Sequence, residues 1–75
     1  MKELVEVLAK SLVDYPNDVI INEKDKDGTF ILELTVNKED MGKVIGKQGR
    51  IAKAIRTVVK AAAIKEGKKV GVEII

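Results

Sequence analysis

Apolar residues recur with two different periods, and the first forty positions predict a helix followed by a hairpin. One helical face opens the chain, formed by Leu4, Val5, Leu8, Leu12 and Tyr15. These spacings predict a helix over residues 2–15 that ends at Pro16. Strands are expected at residues 19–24 and 29–36, where β-branched or alternating apolar residues dominate. The segment between them, Asp25 to Gly28, ends in an Asp-Gly pair and predicts a hairpin turn.

The second half of the chain predicts two helices and a last strand. Asn37 is a favourable N-cap for a short helix, and a longer helix is expected over residues 50–66, followed by Gly67. Their expected core-facing residues are Met41, Val44 and Ile45, then Ile51, Ala52, Ile55, Val58, Val59 and Ala62. Residues 70–75 alternate as in a half-buried strand. The order α-β-β-α-α-β predicts an α+β fold, a three-stranded mixed sheet with the helices packed on one face.

Two glycines three residues apart separate the two predicted helices. Glycine reaches backbone angles that strain other residues, so Gly46-Lys47-Gln48-Gly49 can turn sharply. Without side chains in this turn, a ligand's backbone can come close, and the N–H groups that open the next helix favour an anion. Lys47 and Arg50 add positive charge there. The pattern predicts a cradle for a sugar-phosphate backbone.

Gly42 is unusual because it lies inside the short helix. A glycine there costs up to about 1 kcal/mol relative to alanine. Close approach of another element, or of a ligand, would each explain it.

The composition excludes several functional classes. The 75 residues include no Cys and no His, which removes disulfides, thiol chemistry and the commonest metal ligand. The P-loop pattern is absent, since Gly46-Lys47 precedes Gln48 rather than Ser or Thr. No apolar run approaches the roughly 20 residues of a membrane span. We expect one cytoplasmic domain, residues 1–75, with no cofactor, no metal and no catalytic activity.

The charge of the chain is polarised. Residues 1–40 carry five Lys or Arg and ten Asp or Glu, whereas residues 41–75 carry nine and two. The basic half holds the glycine turn, which favours an anionic partner on that side. A solvated surface with segregated charges is the alternative.

The longer helix presents two further faces. A basic face, suited to phosphates, comprises Arg50, Lys53, Arg56 and Lys60, with Lys43 and Lys47 near its start. The alternative is that these are ordinary solvated side chains. A stripe of small or apolar residues, Ala54, Thr57, Ala61 and Ile64, has the spacing of a helix–helix seam and predicts a homodimer contact. Alternatively, Ala is there for its helix propensity and Ile64 packs at the domain edge.

The stretch Val44-Ile45-Gly46-Lys47-Gln48-Gly49-Arg50, with Ala52 and Ile55 after it, resembles the signature of the KH (K-homology) RNA-binding domain. The element order resembles the bacterial type II form of that fold. The whole chain is similar to the small single-KH bacterial RNA-binding family, KH-domain protein A. The KH pattern favours an aliphatic residue three positions after the second glycine, where this chain has Ala52.

This resemblance implies a groove for about four nucleotides of single-stranded RNA or DNA. It assigns the nucleic-acid backbone to Gly46, Lys47, Gln48 and Gly49, the groove floor to Ile45 and Ala52, and the flanks to Lys43 and Arg50. Lys53, on the basic face, is also expected to bind RNA. It also implies a homodimer, a larger KH-containing partner, and a post-transcriptional or RNA-chaperone role linked to cell shape and division. Phe30 and Tyr15 are assigned to the core, so base contacts are expected to be aliphatic.

Two functions from different classes remain open. The first is a non-catalytic RNA-binding module, and the second is a protein-interaction module in which RNA contact is secondary. Enzymatic activity is disfavoured because Glu33, Glu39 and Asp40 are not placed as an evident catalytic pair.

Overall fold

The structure is a computed structural model that describes residues 1–75, except for the side chain of Lys47. Its elements are α1 (Lys2–Leu12), a 3₁₀ turn (Pro16–Asp18), β1 (Ile20–Lys26), β2 (Thr29–Thr35), the helical segment α2 (Lys38–Glu66) and β3 (Val70–Ile74).

The three strands form one mixed sheet in the order β1-β2-β3. β1 and β2 are antiparallel, and β2 and β3 are parallel, so the sheet is mixed, as predicted. The hairpin turn is tighter than expected, because the strands continue to Lys26 and resume at Thr29. Asp27 and Gly28 have φ values of 54° and 83°, the left-handed pair that a two-residue type I′ turn requires.

The core lies between one face of this sheet and the helices. Leu32 and Leu34 of β2 meet Val44, Ile55 and Val59 of α2, and all five are at most 1% exposed. Each such side chain contributes about 1.5–3 kcal/mol when it is fully buried. This burial holds both ends of α2 against the sheet.

Helix α1 is shorter than its apolar spacing predicts, and a different face of it is turned toward the core. It ends at Leu12 and buries Val5 and Ala9 completely. Leu4 and Tyr15, both predicted to face the core, are 41% and 44% exposed. The buried face of α1 therefore runs through Val5 and Ala9, and Leu8 and Leu12 are half-buried beside it.

A buried carboxylate explains where the chain leaves α1. Asp40, in the first turn of α2, is 1% exposed. Its two oxygens accept hydrogen bonds from the backbone N–H groups of Asp14, at 2.9 Å, and Tyr15, at 3.0 Å. These bonds satisfy two donors that a longer α1 would have used internally, and they join the α1–β1 connection to α2.

The ends of α2 follow the sequence. The Asn37 side chain accepts a hydrogen bond from the Glu39 N–H at 2.8 Å, as an N-cap does. Gly67 adopts the left-handed conformation that ends helices. The core face of α2 differs from the prediction at two positions. Val58 was predicted to face the core and is 36% exposed, whereas Ala63, which was not predicted, is 5% exposed.

Replacing Asp40 with Asn should destabilise the protein. The amide keeps one acceptor but turns a donor toward a backbone N–H, so a buried hydrogen bond to a charged group is lost. We expect the free energy of unfolding to fall by about 2–3 kcal/mol, measured by urea denaturation. The control is Asp27→Asn in the exposed turn, where Asn tolerates the left-handed conformation. Equal stability of the two variants would contradict the anchoring role of Asp40.

Candidate nucleic-acid interface

The helical segment α2 turns a corner at the predicted glycine pair. Gln48 and Gly49 have successive φ values of 64° and 68°, which no continuous right-handed helix contains. A straight helix of 29 residues would also measure about 44 Å, longer than the 34 Å longest dimension of the protein. The segment therefore consists of a first arm, residues 38–47, and a second arm, residues 50–66. We call Gly46–Gly49 the corner.

The corner is open on its outside. Apart from the neighbouring backbone, no described atom lies within 4 Å of where a Cβ would stand on Gly46 or Gly49. Gln48 is exposed and occupies a conformation that costs a non-glycine residue about 1 kcal/mol. The backbone is thus accessible to a ligand, and the second arm starts immediately after it.

Of the two residues assigned to the groove floor, Ile45 fits that role better. Ile45 is 57% exposed beside the corner, although the helical pattern had placed it toward the core. Ala52 is 5% exposed and belongs to the core, so it offers little surface to a base. The next apolar surface along the second arm is the half-buried Ile51.

The basic residues around the corner differ in their surroundings. Lys43 forms an ion pair with Asp14, with 3.3 Å between Nζ and Oδ1. Arg50 and Lys53 are exposed on the second arm. The predicted role of the Lys47 side chain lies outside the described part of the chain.

A cleft lies between the second arm and the edge strand β3. It has a volume of about 320 Å³, and it is lined by Arg56, Val59, Lys60, Val70, Gly71 and Val72. Lys60 is eleven residues beyond Gly49, about 16 Å along the helix. The contribution of β3 was missed from the sequence, because only the parallel register places this strand beside the arm.

Gly42 has no structural explanation among the described atoms of the chain. It is exposed, its φ is not positive, and no described atom beyond its own helix lies within 4 Å of the position that a Cβ would take. Packing against another element of this chain, one of the two alternatives above, is therefore wrong.

The stripe predicted for dimerisation is exposed along its length. Ala54, Thr57, Ala61 and Ile64 are all exposed, and Ile64 is 70% exposed. Val58 adds apolar surface next to them. This face of the second arm is therefore left uncovered by the described elements of the chain.

Neither aromatic ring is buried, contrary to the prediction. Tyr15 lies among acidic groups: a hydrogen bond to Glu39, with smaller effects from burial and from Asp40, Asp14 and Asp18, raises the pKa of its hydroxyl. That surface is unsuited to phosphate. Phe30 is 38% exposed at the opposite end of the sheet.

Two other kinds of site are absent from the described residues. These contain no group of three or more His, Cys, Asp or Glu placed to hold a metal ion. No described helix is long and apolar enough to cross a membrane.

Comparison with known proteins places this geometry in a family. The family model of the KhpA/KhpB KH domain matches residues 2–74. Proteins named RNA-binding protein KhpA are 76% identical in Clostridium perfringens and 67% identical in Clostridium acetobutylicum, over the full length of both chains. The one in Listeria monocytogenes is 55% identical over all of this chain and 99% of its own. No solved structure matches the chain. With its open glycine corner between two helical arms and its mixed sheet, the chain belongs to the KhpA/KhpB KH-domain family and has the type II KH fold.

Proposed function

We propose that this protein is a non-catalytic RNA-binding protein that holds about four nucleotides of single-stranded RNA at the corner. The observation that carries the proposal is the pair of left-handed residues, Gln48 and Gly49, which exposes bare backbone between two helical arms. The relatives named as RNA-binding proteins support it.

The surroundings of the corner suit a single strand. Its phosphates lie against the backbone N–H groups and the charges of Lys47, Arg50 and Lys53, while bases lie on Ile45. The strand then follows the second arm into the cleft beside β3, where Arg56 and Lys60 supply further charge. Lys43 contributes after exchanging Asp14 for a phosphate.

Two aspartates placed at the corner should weaken RNA binding without unfolding the protein. We expect Lys47→Asp with Gln48→Asp to weaken binding to single-stranded RNA at least tenfold, because the new charges repel phosphate. The logarithm of the affinity should also fall less steeply with the logarithm of the salt concentration, by about 0.7 for each phosphate that the protein no longer neutralises. Fluorescence anisotropy across a salt series measures both.

The matched control is Gln48→Asn, which tolerates a positive φ as Asp does but carries no charge. It should bind RNA as the wild type does. Unchanged RNA binding by the folded double mutant, verified by circular dichroism, would refute the corner as the binding site.

Gly42 gives a second test, because here stability and binding should change in opposite directions. We propose that RNA comes close to Gly42, one helical turn before Gly46. Gly42→Ala places its methyl group in open space within a helix, so the free energy of unfolding should rise by about 0.5–1 kcal/mol. RNA affinity should fall about tenfold, or ~1.4 kcal/mol.

The control for Gly42 is Ser11→Ala, a small uncharged change on the exposed side of α1. It should leave RNA affinity unchanged. If the Gly42→Ala variant were more stable and bound RNA with wild-type affinity, the proposal that RNA comes close to Gly42 would be wrong.

A second candidate function is assembly through the second arm. The exposure of Ala54, Thr57, Ala61 and Ile64, with Val58 beside them, favours a helix–helix contact between two copies. The same face could receive a larger KH-containing protein. Dimerisation would place two corners on one RNA and raise avidity without new contacts.

A charge in the middle of this face should separate the copies. Because Ala61 is exposed, Ala61→Glu should fold normally, yet shift the protein from dimer to monomer in sedimentation equilibrium by burying an unpaired carboxylate in the contact. Ser11→Glu on α1 adds the same charge elsewhere and should leave the mass unchanged. An unaltered dimer in Ala61→Glu, or a monomeric wild type, would eliminate this interface.

A further inference from the structure

The end of the sheet farthest from the corner carries a second surface suited to a nucleobase. Phe30 begins the inner face of β2, and in the parallel register it lies beside Val70 of β3. A cleft of about 110 Å³ opens there, and it is lined by Met1, Glu23, Phe30, Leu32, Lys68 and Val70.

The ring of Phe30 is accessible, and the backbone that carries it is hydrogen-bonded to the next segment. It is 38% exposed, although the flanking apolar residue on the same face, Leu32, is 1% exposed. The Phe30 N–H donates to the Lys69 carbonyl at 2.9 Å, which ties the start of β2 to the segment after α2. Because the backbone at Phe30 is already ordered, a base can stack on the ring without ordering this segment.

The charges around the ring favour a nucleotide in one orientation. Lys68 Nζ lies 6.0 Å from the ring centroid, at the outer limit of a cation–π contact. Its side chain is 53% exposed and lies as far as 3.9 Å from the Glu66 carboxylate, so it can turn to a phosphate. Glu23 repels phosphate from the other edge of the cleft, which leaves that part to the base.

The cleft adjoins the path proposed for RNA. Val70 lines both this cleft and the one that holds Arg56 and Lys60. The second arm runs from the corner toward Phe30, and its 17 residues, 50–66, span about 25 Å. An RNA strand that is held at the corner and follows the second arm therefore reaches the Phe30 ring with nucleotides beyond those at the corner.

We infer that Phe30 and Lys68 form a second subsite, in which a base of the same RNA strand stacks on the Phe30 ring and its phosphate pairs with Lys68. The subsite rests on the proposed function, because the strand arrives from the corner. The subsite extends the contact between protein and RNA beyond the nucleotides held at the corner.

The test compares two substitutions at Phe30 with RNA of two lengths. Phe30→Leu keeps an apolar side chain but removes the aromatic face, whereas Phe30→Tyr keeps the face. Stacking of a base on an aromatic ring contributes to binding affinity, and leucine cannot provide it. Phe30→Leu should therefore weaken binding of a ten-nucleotide single-stranded RNA about three- to tenfold. Phe30→Tyr should stay within about twofold of the wild type, and both variants should bind a four-nucleotide RNA as the wild type does.

Heteronuclear NMR titration measures both lengths and reports folding. With the ten-nucleotide RNA, the amide signals of residues 30 and 68–70 should shift, and they should not shift with the short one. Equal affinities of Phe30→Leu and Phe30→Tyr for the long RNA would overturn the subsite. If the wild type bound neither RNA, or if the corner double mutant bound both, the proposed function itself would fail.

Discussion

The reversal of the backbone at Gln48 and Gly49 is the constraint on which the rest of the structure depends. Val44 in the first arm and Ile55 in the second are 0% and 1% exposed in the same core. A straight helix would carry one of them away from the sheet, so the core forms only when two left-handed residues redirect the chain. The strain at Gln48 is therefore offset by apolar burial on both sides of it.

The same constraint couples the exposed surface to the core. Gly46 and Gly49 carry no side chain and have open space beside them, so the fold leaves the backbone accessible at both positions. The acidic and basic side chains are also segregated on the surface. The carboxylates of Asp14, Asp18, Glu39 and Asp40 gather around Tyr15, and the Lys43–Asp14 ion pair marks where they meet the basic side. This acidic cluster disfavours an anionic ligand near Tyr15.

The sequence predicted those features that depend on neighbouring residues. The hairpin turn at Asp27-Gly28, the N-cap Asn37 and the helix end at Gly67 all follow from local conformational preferences, and all are confirmed. The mixed sheet followed from element order, since a strand reached through helices tends to run parallel to an earlier one.

Features set by tertiary packing could not be predicted in the same way. Two apolar stripes lie side by side on the second arm, so periodicity alone could not assign Val58 to the surface and Ala63 to the core. Asp40 looked like an ordinary first-turn carboxylate, because its partners are backbone groups 25 and 26 residues away. Phe30 alternates with core residues along β2, and it is exposed because it lies at the end of the sheet.

The glycines show how far structure can separate folding from function. At Gly49 the positive φ requires glycine or a strained substitute, so its presence says little about a ligand. At Gly42 and Gly46 the conformation is open to any residue, and no described atom occupies the space beyond. Because glycine weakens a helix at such positions, folding alone would favour alanine there. Folding therefore does not account for the two glycines, which lie one helical turn apart next to Ile45.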